Sequence, residues 1–142
     1  MAEVEEKVRA EFEKIERALG ELELAKKRPK NDRIVLVAMG AYILNIYNGM
    51  ENILKQLINH KRAPLPKSAE WHSELLTTSV KNGFITKVTA KEINELMTFR
   101  HFFAHSYGFL LDEEKLRPLV KSAPAMYARF KKDVEKYLKK IK

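Results

Sequence analysis

Val4, Val8, Phe12, Ile15, Leu19 and Leu22 recur at spacings of three and four, which places all six on one stripe of an amphipathic helix. The same spacing returns near the other end of the chain in Tyr127, Phe130, Val134, Tyr137, Leu138 and Ile141. No stretch of useful length alternates apolar and polar residues with a period of two, and no internal repeat occurs. Helices that are apolar on one stripe must bury it against one another, so the pattern predicts an all-α, single-domain bundle of four to five helices over residues 1–142. A chain of this length buries about two-thirds of its unfolded surface.

Breaks and caps divide the pattern. The first helix closes with Lys26, Lys27 and Arg28 before Pro29, cations where the negative end of a helix dipole favours them. Asp32 caps a second helix running to about His60, whose first half is apolar on every side. That half predicts either the buried centre of the bundle or a face covered by a second subunit. Gly40 and Gly49 within it predict close backbone approach, since each costs about 1 kcal/mol against alanine in a helix. Pro64 and Pro66 interrupt the chain, and Ser68 caps a short helix stopping near Asn82 and Gly83. Thr89 and Glu92 have the spacing of a capping box and start the next helix, which Gly108 ends. Asp112 opens the last helical region, where Pro118 and Pro124 predict a break or kink.

Composition excludes some chemistry. There is no cysteine, hence no disulfide framework and no thiolate metal site. The N-terminal residues Met1 to Glu6 lack the basic and apolar blocks of a signal peptide. The longest apolar run, Ile34 to Leu44, is short of the roughly 18 residues a membrane span needs. A cytoplasmic protein without a membrane segment is the expectation. The net charge is +8, spread unevenly: residues 1–28 hold seven basic and eight acidic residues, 29–111 ten and six, and 112–142 ten and five. Such an excess attracts phosphate backbones, and equally it suits solvated lysine-rich helix faces.

Residues 98–108, TFRHFFAHSYG, concentrate an arginine, two histidines and aromatic residues on the helix from Thr89. At about 100° per residue, Ile93, Leu96, Met97, Ala104 and Tyr107 share one face with Arg100 in its middle. Asn94, Thr98, His101 and His105 form a neighbouring polar stripe, and Phe99, Phe102 and Phe103 cover much of the rest. A guanidinium on an apolar face needs an anionic partner. Three arrangements provide one or explain the histidines. A structural ion pair would join Arg100 to a carboxylate such as Glu51. A metal could bridge His101 and His105, four residues apart, although no third ligand is evident and thiolates are absent. A phosphate could be held bidentately by Arg100 while His105 moves protons, although on an ideal helix these two residues diverge by about 140°.

Arg100, His105 and Tyr107 together resemble the R-x4-H-x-Y signature of HEPN-domain toxins of the HepT type. His101 suits the polar residue that commonly follows that family's arginine. IYNGMENILKQL at residues 46–57 is similar to the family's second helix, and YGFLLDEEKL at 107–116 to the run after the motif. The likeness covers about residues 30–120; the first helix and the basic tail fit only as generic helices. It implies a HEPN-like helical fold and a homodimer in which two motifs line one cleft, which would bring Arg100 and His105 of different copies together. It also implies a metal-independent ribonuclease, without a bound cofactor, acting as the toxin of a toxin–antitoxin pair. The partner implied is an MNT-type nucleotidyltransferase antitoxin that transfers AMP to the tyrosine. Carried over by position, Arg100 and His105 are catalytic and Tyr107 is the adenylylated residue.

These residue types suit RNA cleavage. The 2′-OH attacks the adjacent phosphorus, histidine transfers protons, and arginine stabilises charge on the non-bridging oxygens. Glu51 and His101 are candidate supporting residues, Glu51 orienting Arg100 or His105 and His101 touching RNA or holding the helix end. Trp71, beside His72, offers a stacking surface or simply packs. Lys131, Lys132, Lys136, Lys139, Lys140 and Arg129 could follow a phosphate backbone or keep the surface solvated. From a different functional class comes the alternative of a non-catalytic helical module, an adaptor for a nucleotidyltransferase.

Overall fold

The computed structural model describes residues 2–29, 32–64, 71–105 and 113–142, with the side chains of residues 2, 104 and 105 excepted. The described residues form five α-helices: α1 (Ala2–Lys26), α2 (Arg33–Lys61), α3 (Trp71–Lys81), α4 (Lys87–His105) and α5 (Glu113–Lys140). The fold is all-α, as the 3–4 periodicity predicts.

α2 is the centre, touching each of the other four helices and lying longest against α1. Its buried face runs from Leu36 through Ile43, Ile46, Tyr47, Met50, Ile53 and Leu54 to Ile58. The α1 stripe of Val4, Val8, Phe12, Ile15 and Leu22 meets it, with each of these side chains almost fully buried. Gly49 shows why the two helices approach so closely. A Cβ built there would lie 2.4 Å from Ile15 Cγ1, so glycine is what lets Ile15 seat against the α2 backbone. Gly40 does the same for α4, because a Cβ there would lie 2.8 Å from the Phe103 ring. Counted over the whole helix rather than its uninterrupted run, α2 is long and apolar enough to cross a membrane, yet half of its most apolar window is buried inside this bundle.

Asp32 caps α2 as expected, its side chain accepting from the Ile34 amide at 2.9 Å. The helix ends on Arg62 in the left-handed conformation (φ 59°), with Arg62 and Ala63 amides donating back to Asn59 and Ile58. α3 ends similarly at Gly83 (φ 79°), where the amide of Phe84 reaches the Ser79 carbonyl. Ser68, Gly108 and Asp112, expected to cap α3, end α4 and open α5, lie outside the described residues.

Two expectations about helix boundaries are corrected. Thr89 does not start α4: the helix begins at Lys87, and the Thr86 hydroxyl accepts from the Thr89 amide. The capping box fails because Glu92 is drawn to Arg129 of α5 while the Thr89 hydroxyl donates to Asp133 at 2.6 Å. Tertiary partners outbid the local pattern. Of the break or kink expected at Pro118 and Pro124, the break does not occur, since α5 runs unbroken through both. Both prolines are on the exposed side, where water can satisfy the carbonyls they orphan, while Leu116, Leu119, Val120, Ala123 and Met126 hold the opposite side in the core.

Candidate active site

α4 positions Arg100 by packing its C-terminal half on α2. Phe99 is buried, Phe103 stacks on it with ring centroids 5.8 Å apart, and the Phe103 ring fills the space left by Gly40. The ammonium of Lys115 lies 4.8 Å from the Phe102 ring and ties α5 to the same end. Arg100 is half-buried, and its Nε is buried without a hydrogen-bond partner. A buried guanidinium N–H left unpaired is costly, and native proteins leave few such groups. Asn94, Thr98 and His101 form the exposed stripe that the helical spacing predicts, Thr98 bonding back to the Asn94 carbonyl at 3.0 Å. The side chain of His105 and all of Tyr107 lie outside the described residues.

Beside this helix, α2 presents a buried carboxylate. Glu51 is 7% exposed, and its Oε2 accepts from the Tyr47 hydroxyl at 2.6 Å and from His72 Nδ1 at 2.7 Å. Its Oε1 lies 3.4 Å from the Lys55 ammonium. Tyr47 and Glu51 are one helical turn apart, so both project from the same part of α2. His72 comes from the first turn of α3 and stacks on Trp71 with ring centroids 3.7 Å apart. Lys55 Nζ lies 4.3 Å from the Trp71 ring centroid. Trp71, the first residue of α3, thus packs toward α2 and is partly buried against the core.

Charge joins the two halves. Burial pushes the Tyr47 hydroxyl far above the ordinary tyrosine range, with the hydrogen bond and charge of Glu51 acting in the same direction, while Arg100 acts against them. Tyr47 is therefore a permanent donor at neutral pH, and it sits within the field of the Arg100 guanidinium.

The structure places Arg100 and Glu51 around Tyr47 without joining them. No ion pair links the two, because the carboxylate is engaged by Tyr47, His72 and Lys55. His101 is exposed on the neighbouring stripe. Among the described residues, no three metal-ligating side chains come together. Sequence reasoning missed the roles of Tyr47, Lys55 and His72. The available signal was the Tyr47–Glu51 pair itself, a polar i, i+4 doublet inside a helix otherwise buried among aliphatic residues. Much of the basic C-terminal face is already paired, Arg129 with Glu92, Lys131 with Glu16, and Lys142 with Glu5.

The fold is similar to that of YutE, a cytosolic protein of unknown function from Bacillus subtilis. The TM-score is 0.78 over 96% of this chain and 91% of that one, at 15% identity, a likeness that carries the fold alone. Among curated proteins there is no significant match. A family model described as HepT-like protein matches residues 38–141, from the second turn of α2 through α5, and so spans Tyr47, Glu51, His72 and Arg100; the chain belongs to the HepT-like family.

Proposed function

We propose that the protein is a metal-independent ribonuclease, the toxin of a toxin–antitoxin pair, which cleaves RNA with Arg100 and His105. The observation that carries this reading is the Arg100 guanidinium, held by packing with a buried Nε that no protein group satisfies. An incoming phosphate supplies the missing acceptor, and the same contact stabilises charge that builds on the non-bridging oxygens during attack by the 2′-OH. Membership of the HepT-like family supports the reading, since that family is generally one of ribonuclease toxins found in toxin–antitoxin pairs. Glu51 acts as a supporting carboxylate behind the site and His101 supports the exposed end of the helix. The protein works in the cytoplasm as a single-domain homodimer, with Ile34 and Val37, 80% and 39% exposed on the first turns of α2, available to a second copy. No cofactor takes part.

Regulation follows from Tyr107. An MNT-type nucleotidyltransferase antitoxin transfers AMP to its hydroxyl, and the added phosphate competes for the Arg100 guanidinium while the nucleotide obstructs RNA. The test is RNA cleavage by purified protein in EDTA, with Arg100→Ala and His105→Ala as folded controls. Activity in the wild type and loss in both variants is the expected result. Cleavage that EDTA abolishes and a divalent metal restores, or variants as active as the wild type, would overturn it, and a wild type that leaves RNA uncut would favour an adaptor module. Tyr107→Phe should retain nuclease activity but resist silencing by the nucleotidyltransferase with ATP, and mass spectrometry should show AMP only on the wild type.

A further inference from the structure

Transphosphorylation of RNA needs two proton movements: one from the 2′-OH as the 2′-O–P bond forms, and one to the 5′-oxygen as the P–O5′ bond breaks. The motif on α4 supplies one histidine. The structure brings another imidazole, that of His72, within 3.3 Å of the Tyr47 hydroxyl and 2.7 Å of Glu51, in an arrangement that a packing residue does not require.

Glu51 fixes this imidazole. A carboxylate accepts hydrogen bonds, so the 2.7 Å contact from His72 Nδ1 to Glu51 Oε2 puts the proton on Nδ1. Nε2 is then left with its lone pair. The Tyr47 hydroxyl, 3.3 Å from His72 Nδ1, is already committed to the same carboxylate oxygen at 2.6 Å. Stacking on Trp71 holds the ring plane, and the side chain keeps 25% of its surface open. A buried carboxylate that holds Nδ1–H and so leaves the Nε2 lone pair to accept a proton is the arrangement by which hydrolases prepare a histidine base. Among the described residues, the charged and titratable groups that bear on His72 include Glu51, Tyr47 and Lys55 from α2 and, through Tyr47, Arg100 from α4.

We propose that His72 is a second acid–base residue of the Arg100 site, oriented by Glu51 and taking the 2′-OH proton on Nε2. This rests on the ribonuclease reading above. The proton taken by His72 is matched by one given to the 5′-oxygen by His105, leaving a 2′,3′-cyclic phosphate and a 5′-OH. Both imidazoles then return to their starting states by exchange with water.

The test is the pH dependence of single-turnover RNA cleavage in EDTA for wild type and His72→Gln, read beside imidazole NMR of the wild type. Glutamine can still donate to Glu51 and so keeps the hydrogen bond and the fold, but it cannot titrate. The variant should cleave at least about 100-fold more slowly and lose the acidic limb of the profile while its thermal midpoint stays unchanged. In NMR, His72 should be protonated on Nδ1 in its neutral form, and its signals should move when uridine 3′-monophosphate is added to wild type but not to Arg100→Ala. A variant of wild-type rate, or a slower one whose profile keeps its shape, would overturn the role of His72 and leave the nuclease reading intact. A wild type that does not cleave RNA would overturn both.

Discussion

Glu51 is buried and Arg100 half-buried with a buried Nε, and the surroundings of these two oppositely charged residues predict opposite responses to removal. Glu51 satisfies Tyr47, His72 and Lys55 at once, so Glu51→Ala strands a buried hydroxyl and an ammonium and should destabilise the fold by about 2–4 kcal/mol in urea titration. Arg100 has an unpaired Nε. Arg100→Ala should therefore change stability by less than about 1 kcal/mol while lowering RNA cleavage by about 10³-fold. A large loss of stability in the Arg100 variant would mark it as structural. Arg100 was legible in the sequence because a lone guanidinium on an apolar helix face violates burial rules within one element. His72 was not, because its meaning depends on α3 crossing α2 at Glu51, a contact made over 21 positions of chain.

At the scale of the helix, three backbone positions give predictions of differing sign. Gly49→Ala forces a methyl to within 2.4 Å of Ile15 Cγ1 and should cost about 1–3 kcal/mol, because α1 and α2 must part to admit it. Gly20→Ala, with open space around it on α1, should instead stabilise by about 0.5–1 kcal/mol through helix propensity. Arg62→Gly relieves a left-handed residue at the end of α2 and should also stabilise, by about 1 kcal/mol. Thermal midpoints of the three variants check all of these. Helix stripes were readable from sequence because burial enforces the 3.6 period on every turn. The start of α4 was not, since Asp133 of α5 reaches back to Thr86 and Thr89 and decides which threonine caps. The continuity of α5 escaped for a related reason: proline signals are local, while the packing that overrides them on the opposite face is not.

For the molecule as a whole, buried tyrosines set the response to alkali. Tyr47, Tyr127 and Tyr137 are all held above the ordinary value of 10.0, by burial first and, for Tyr47 and Tyr127, also by hydrogen bonds to Glu51 and Glu16. Above pH 10 the unfolded chain releases these protons and the folded one keeps them, so the stability they contribute is present below pH 10 and lost as pH rises beyond it. Thermal midpoints should fall steeply there, and less steeply in Tyr47→Phe. Glu16 works with the opposite sign. Lys131 and Tyr127 lower its pKa, so its contribution holds above the ordinary 4.5 and fades as pH falls below it. If the proposed homodimer forms through the exposed Ile34 and Val37, Ile34→Glu with Val37→Glu should convert it to a monomer in light scattering, and a wild type that is already monomeric would contradict that proposal. The claim that unites residue, helix and molecule is that Arg100 serves transphosphorylation without a metal. It is tested most directly by the end groups of RNA cut by purified protein in EDTA. Fragments ending in a 2′,3′-cyclic phosphate, with a 5′-OH on the downstream piece, are expected; fragments with a 3′-OH and a 5′-phosphate, or RNA left uncut, would contradict it.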